Sequence, residues 1–198
     1  MENLIAYLRS RYDPVGLICY GSYRDGTRNE QSDFDALLLI REGKCVHDIS
    51  EVGGVQMDVF VYPQNWTFAP EDFVQLYDGA VIIDETGAAA QLLHQVRQYV
   101  DKYPRKTQEE KHELKSWCTK MLFRAKRTDA EGSYRSHWLL TDSLQIYCDI
   151  RDRFYFGPKK TILWMQKYDP KGFALLSKTM DDRSSLDLWI NYIFEVLS

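Results

Sequence analysis

Residues 19–40, CYGSYRDGTRNEQSDFDALLLI, decide how the chain is read. The apolar run at 16–20, which leads into Gly21-Ser22, reads as a short buried strand. Gly21 and Ser22 therefore fall where a strand ends and backbone amides turn outward. A polar, glycine-containing connection over 23–32 leads to Asp33-Phe34-Asp35, and residues 36–40 follow at once as a second strand too apolar to be exposed on either face. Side chains alternate along a strand, which puts Asp33 and Asp35 on one face about 7 Å apart.

Two parallel carboxylates call for a cation. Hard oxygen donors without His or Cys select Mg²⁺ or Mn²⁺ over zinc, and a pair able to straddle two ions roughly 3.5–4 Å apart suits phosphoryl or nucleotidyl transfer. Residues 55–62, VQMDVFVY, alternate as a strand with Asp58 on the face opposite Met57 and Val59. If the strands are neighbours, Asp58 joins Asp33 and Asp35.

The order Gly21-Ser22, Asp33-Phe34-Asp35, then Asp58 in an apolar strand resembles the signature of the DNA polymerase beta-like nucleotidyltransferase superfamily. Within it, the chain resembles the small antibiotic (aminoglycoside and lincosamide) nucleotidyltransferases and their uncharacterised bacterial relatives. The likeness covers about the first half of the chain. It implies an α+β fold, a mixed sheet with flanking helices, followed by an all-α helical bundle. It also implies an enzyme that transfers a nucleoside monophosphate from ATP or another triphosphate to a hydroxyl of a small-molecule acceptor. On that likeness Asp33 and Asp35 hold two Mg²⁺ ions, with Mn²⁺ as the alternative, and Asp58 is a third ligand or the general base. Gly21 and Ser22 hold the phosphates. The suggested acceptor is a cationic, aminoglycoside-like antibiotic. A rival reading keeps the fold but makes the protein an antitoxin-like module that contacts or adenylylates a partner protein.

Arg24 and Arg28 lie in the connection beside the proposed triphosphate site, where they would neutralise phosphate charge; exposed loop arginines are the plainer alternative. Lys159 and Lys160 stand just after Gly157-Pro158, in the first turn of a helix, and are candidates for the tail of the nucleotide, as C-terminal lysines are in some relatives.

At 198 residues, 44% hydrophobic and 14% aromatic, the chain can bury one core or two small ones. A net charge of −4 gives no broad basic field, which argues against binding long nucleic acid. Cys19, Cys45, Cys118 and Cys148 lie too far apart for a zinc motif or a disulfide framework. No apolar run reaches the roughly 20 residues of a membrane span and no signal segment opens the chain, so a cytoplasmic protein is expected.

Along the chain, Leu4, Ile5, Leu8 and Tyr12 predict a helix over 2–11 that stops before Asp13-Pro14. Residues 41–44 have hairpin chemistry, and 51–54 offer a second turn. A short helix over 71–77, a strand at 81–83 and a helix over 88–100 complete a catalytic domain, residues 1–103. Tyr103-Pro104 marks the boundary to a helical, substrate-binding domain, residues 104–198.

There, Thr107 with Glu110 forms a capping box, and a helix from about 133 carries Leu140, Leu144, Tyr147, Cys148 and Phe154 as its buried stripe. Trp138, Asp142, Gln145, Asp149 and Asp152 share its other face. Trp138 and Asp142 would line an acceptor cleft if that face meets the signature turn; a solvated face is the plainer alternative. Asp169-Pro170 breaks the chain before a final helix over 185–197. Its Leu186, Leu188, Trp189, Tyr192, Ile193 and Val196 suit a bundle core or a homodimer interface.

Overall fold

In the computed structural model, which describes residues 1–197, the first helix α1 (Glu2–Tyr12) buries Leu4 and Leu8, one turn apart, against a sheet. Asp13 ends it in the left-handed region (φ 44°), one residue ahead of Pro14. All four residues of β1 (Gly16–Cys19) are buried, because β1 runs inside the sheet between two antiparallel neighbours, β2 (Phe34–Ile40) and β6 (Ala80–Asp84). A four-residue helix, α2 (Ser22–Asp25), follows Gly21 inside the connection read as loop.

On its other side β2 pairs in parallel with β5 (Val55–Pro63). Two short antiparallel strands, β3 (Val46–Asp48) and β4 (Glu51–Val52), also pair with β5, giving the order β3-β5-β2-β1-β6. The turn at 53–54 is the hairpin between β4 and β5, as its sequence predicts. Residues 41–44 are not a hairpin turn, because β5 lies between β2 and β3. The short helix after Pro63 is a 3-10 helix, Pro70–Leu76, interrupted at Phe73.

Alternation divides the sheet into two apolar faces. Leu17, Phe34, Ala36, Leu38, Met57, Val59 and Val61 pack with α1, and Ile18, Leu37, Leu39 and Leu76 pack with α3 (Ala88–Asp101) through Ala89, Leu92, Leu93 and Val96. Asp84 caps α3, accepting from the amides of Ala89 and Ala90. These elements form one compact unit, Met1–Lys102; Tyr103 opens a second.

The second unit is helical: α4 (Gln108–Ala125), α5 (Ala130–Ile150), α6 (Pro158–Tyr168), α7 (Pro170–Asp181) and α8 (Leu186–Phe194). The capping box at Thr107 and Glu110 is formed in both directions. The α5 helix begins at Ala130 rather than near 133, because Asp129 accepts from the Gly132 amide as its N-cap. It ends at Ile150, so Asp152 and Phe154 lie beyond it and off both predicted stripes.

The core centres on Trp189, whose indole donates to Ser143 Oγ (2.8 Å), stacked against Tyr147. Asp169 caps α7 and accepts from the hydroxyls of Tyr147 and Tyr192, both at 2.5 Å. On α8, Leu186, Trp189 and Ile193 are buried as expected; Leu188 and, just beyond the helix, Val196 are exposed. Both fall outside the stripe that faces the bundle.

Candidate functional site

Asp35 and Asp58 are brought together by strand pairing. They are direct partners in the parallel ladder of β2 and β5, so their Cα atoms stand one strand spacing apart, about 4.8 Å. Each alternates with side chains of the α1-covered face, so both project from the opposite face, near the start of the ladder the two strands share. Both are half-buried. Asp33 stands one residue ahead of β2 and is exposed. The ladder with β5 starts at Phe34, so it registers Asp35 but not Asp33, which the D-x-D spacing puts on the same strand.

Gly21 closes the site on the β1 side. Its backbone (φ 65°, ψ −154°) belongs to a region essentially restricted to glycine. A Cβ there would collide with Asp35 Oδ2 and lie 2.8 Å from Asp35 Cγ. The Tyr20 amide donates to the Asp35 carbonyl (3.1 Å), which fixes this approach. Ser22, buried, opens α2, whose first amides have no partner within so short a helix. Arg24 is exposed on α2, and Arg28 lies over the ring of Tyr23 at 5.3 Å.

The carboxylates act on their surroundings. Burial raises the pKa of the Tyr20 hydroxyl, and the charges of Asp35 and Asp58 raise it further. Burial and Asp35 push the Cys19 thiol up to about 11, against the opposing pull of Arg24. Negative potential from two strands thus converges on the end of β1.

Asp58 has a partner the sequence did not advertise. Its Oδ1 accepts a hydrogen bond from Nε2 of His47 at 2.6 Å, and the His47 ring stacks on Phe60 (centroids 4.2 Å apart, planes 5° apart). His47 sits in a strand of three residues with too little alternation to read, and its contact depends on the β3–β5 register.

The donor chemistry fits a hard divalent cation: carboxylate oxygens from Asp33, Asp35 and Asp58, with space beside Asp35 that any side chain at 21 would fill. Among the described residues, however, no three His, Cys, Asp or Glu side chains are already gathered around a metal position. Asp58 leans towards β3, on the far side of β5 from Asp35.

The remaining candidates belong to the second unit. Trp138 on α5 is exposed and packs edge-on to Trp117 of α4 (5.3 Å). Asp142, one turn on, is half-buried, and burial raises its pKa. Lys159 is exposed in the first turn of α6, and the ammonium of its neighbour Lys160 lies 5.1 Å from the Phe156 ring centroid.

A mixed sheet flanked by helices, with aspartates in register on parallel strands and a Gly-Ser turn against one of them, is the α+β frame of a nucleotidyltransferase. The chain belongs to the nucleotidyltransferase domain family, whose profile matches residues 1–123, the whole first unit and most of α4. Membership supports nucleotidyl transfer in general, with a nucleoside triphosphate as substrate and divalent metal as the usual helper. No curated protein matches the sequence. Among solved structures, a nucleotidyltransferase-like protein from Exiguobacterium sibiricum 255-15 aligns with 99% of this chain and 71% of its own, at 13% identity and a TM-score of 0.38. That likeness is too slight to bear on fold or function. Among the described residues no helix is long and apolar enough to cross a membrane.

Proposed function

We propose that the protein transfers a nucleoside monophosphate from ATP or a related triphosphate to a hydroxyl of a small molecule, with Mg²⁺ as cofactor. The observation that carries this reading is the in-register pair Asp35 and Asp58, with Gly21 pressed against the first. Asp33 and Asp35 would hold the cation, and Asp58 would join them or act apart from them. The bound cation supplies charge neutralisation at the triphosphate and the reacting phosphorus.

The chain's own residues do the rest. The outward amides of Gly21 and Ser22 orient the phosphates, and Arg24 adds charge at the rim. Asp58 Oδ1 is engaged by His47, which leaves Oδ2 to accept the proton of the acceptor hydroxyl. The acceptor's hydroxyl oxygen forms its bond to the α-phosphorus as the bond to the bridging oxygen breaks and pyrophosphate departs. Lys159 and Lys160 are proposed for the nucleotide tail, and Trp138 and Asp142 for the acceptor. A cationic, aminoglycoside-like acceptor suits the acidic face, and a supply of triphosphate suits a cytoplasmic enzyme.

A second reading has one observation in its favour. Phe123, Tyr134 and Trp138, on α4 and α5, are large and exposed, as on a surface that meets a partner protein. One assay separates the two: α-labelled ATP, GTP, CTP and UTP offered with aminoglycosides, lincosamides and candidate partner proteins. Label on a small molecule is expected. Label on a protein supports the second reading, and no label anywhere refutes transfer.

A further inference from the structure

Asp58 stands between two claims. On one side, Asp35 is its ladder partner on β2; on the other, His47 on β3 donates to it. Adjacent strands lie about 4.8 Å apart, and a Mg²⁺–oxygen distance is about 2.1 Å, so a single cation can bridge carboxylates of in-register neighbours. One carboxylate oxygen, Oδ1, is instead engaged by His47, across β5 from Asp35. A carboxylate only accepts, so Nε2 carries the proton of the His47–Asp58 bond.

This is no chance surface contact, because His47 is fixed from three directions. Its ring lies flat on Phe60, its direct partner across the β3–β5 ladder. Its backbone is in the strand. The next residue, Asp48, points to the other face and is buried there. Asp48 accepts from the hydroxyls of Tyr12 (2.8 Å) and Tyr7 (3.3 Å) of α1 and from the Ser50 amide (3.0 Å), with the Ser50 hydroxyl in contact as well. Thus α1 anchors β3, β3 holds the imidazole, and the imidazole holds Asp58.

We propose that His47 is a positioning residue that withholds Asp58 from the divalent cation and keeps it for the acceptor hydroxyl. This rests on the nucleotidyl-transfer reading for its purpose but not for its test. Where His47 donates to Asp58, the cation is left with Asp33 and Asp35. Without the donor, Asp58 turns to Asp35 and becomes an added ligand, and the mutual repulsion of the two carboxylates is relieved by the ion.

The test is Mn²⁺ affinity, read by electron paramagnetic resonance on the full chain without nucleotide or acceptor. His47→Phe keeps a flat ring on Phe60 and removes the donor; His47→Ala covers the case in which the new ring disturbs β3. Either variant is expected to bind Mn²⁺ roughly tenfold more tightly than wild type, because affinity for a hard cation rises with the number of charged ligands. That gain should vanish when Asp58→Asn is added. Unchanged or weaker binding in both His47 variants, including no measurable binding in any protein, overturns the inference. So does a gain that survives Asp58→Asn. Absence of label transfer by the wild type would count against the function instead and leave this cycle readable.

Discussion

Replacing Gly21 by alanine should damage the protein in two separable ways. The backbone at φ 65°, ψ −154° costs a residue with a Cβ about 1–3 kcal/mol. For a unit of this size each kcal/mol lowers Tm by about 4–8 °C, so the first unit should melt roughly 4–24 °C lower. The new Cβ also starts 2.8 Å from Asp35 Cγ, whereas carbons settle at about 3.5–4.0 Å. The carboxylate must retreat by roughly 1 Å, and a displacement of that size in a reacting centre is worth about 100-fold in rate. Gly26→Ala is the control. Its φ is 80°, so it too carries strain of about 1–2 kcal/mol, but its Cβ meets nothing within 4 Å. Calorimetry and label transfer on both variants separate the effects: both lose stability, and Gly21→Ala alone loses turnover steeply. If Gly21→Ala keeps the turnover of Gly26→Ala, the close approach to Asp35 does not shape the site.

Other outcomes follow from particular residues. Burial raises the pKa of Asp48, but the hydrogen bonds of Ser50 and Tyr12 and the charge of Arg11 outweigh it and leave the carboxyl below its ordinary value of 3.8. A depressed carboxylate adds stability that is fully present above the unfolded pKa, about 3.9, and is lost as pH falls through the folded value. Urea titrations should therefore show a steeper acid-side loss below about pH 4 for wild type than for Asp48→Asn. Lys111 is buried and paired with Asp152 at 2.8 Å. Lys111→Met should stay within about 1 kcal/mol of wild type or gain stability, whereas Asp152→Asn should cost more, by leaving the buried ammonium with only the charge of Asp149 nearby. Chemical denaturation reads both, and equal losses would refute the imbalance. Trp138→Ala and Asp142→Asn should raise KM for the acceptor while nucleotide affinity holds; unchanged KM in both places the acceptor elsewhere.

The spacing of Gly21-Ser22 and Asp33-Phe34-Asp35 made β1, β2 and the turn between them legible, because a buried strand ending at Gly-Ser leaves few alternatives. Asp58 was legible from alternation against Met57 and Val59. The pairing partners were not. Residues 41–44 have the chemistry of a hairpin, yet turn chemistry says nothing about which strand lies next door, and here β5 takes the place that β3 would have held. His47 stayed hidden for the same reason: its meaning lies in the register with Phe60 and Asp58, which no local pattern encodes. In the helical unit, the Asp129 cap lengthened α5 by a turn beyond its apolar periodicity. The exposure of Leu188 on α8, and of Val196 in the turn after it, shows that hydrophobic residues of one predicted helix need not all face its core.

The most direct measurement is calorimetric titration of nucleoside triphosphate into the wild-type protein and an Asp33→Asn/Asp35→Asn variant, each in millimolar Mg²⁺ and in excess chelator. The wild type should bind tightly in Mg²⁺ and at least tenfold more weakly in chelator, since bare carboxylates repel the triphosphate. The variant should lose most of that dependence. Equal wild-type affinity under both conditions would contradict a metal-assisted nucleotide site on these aspartates.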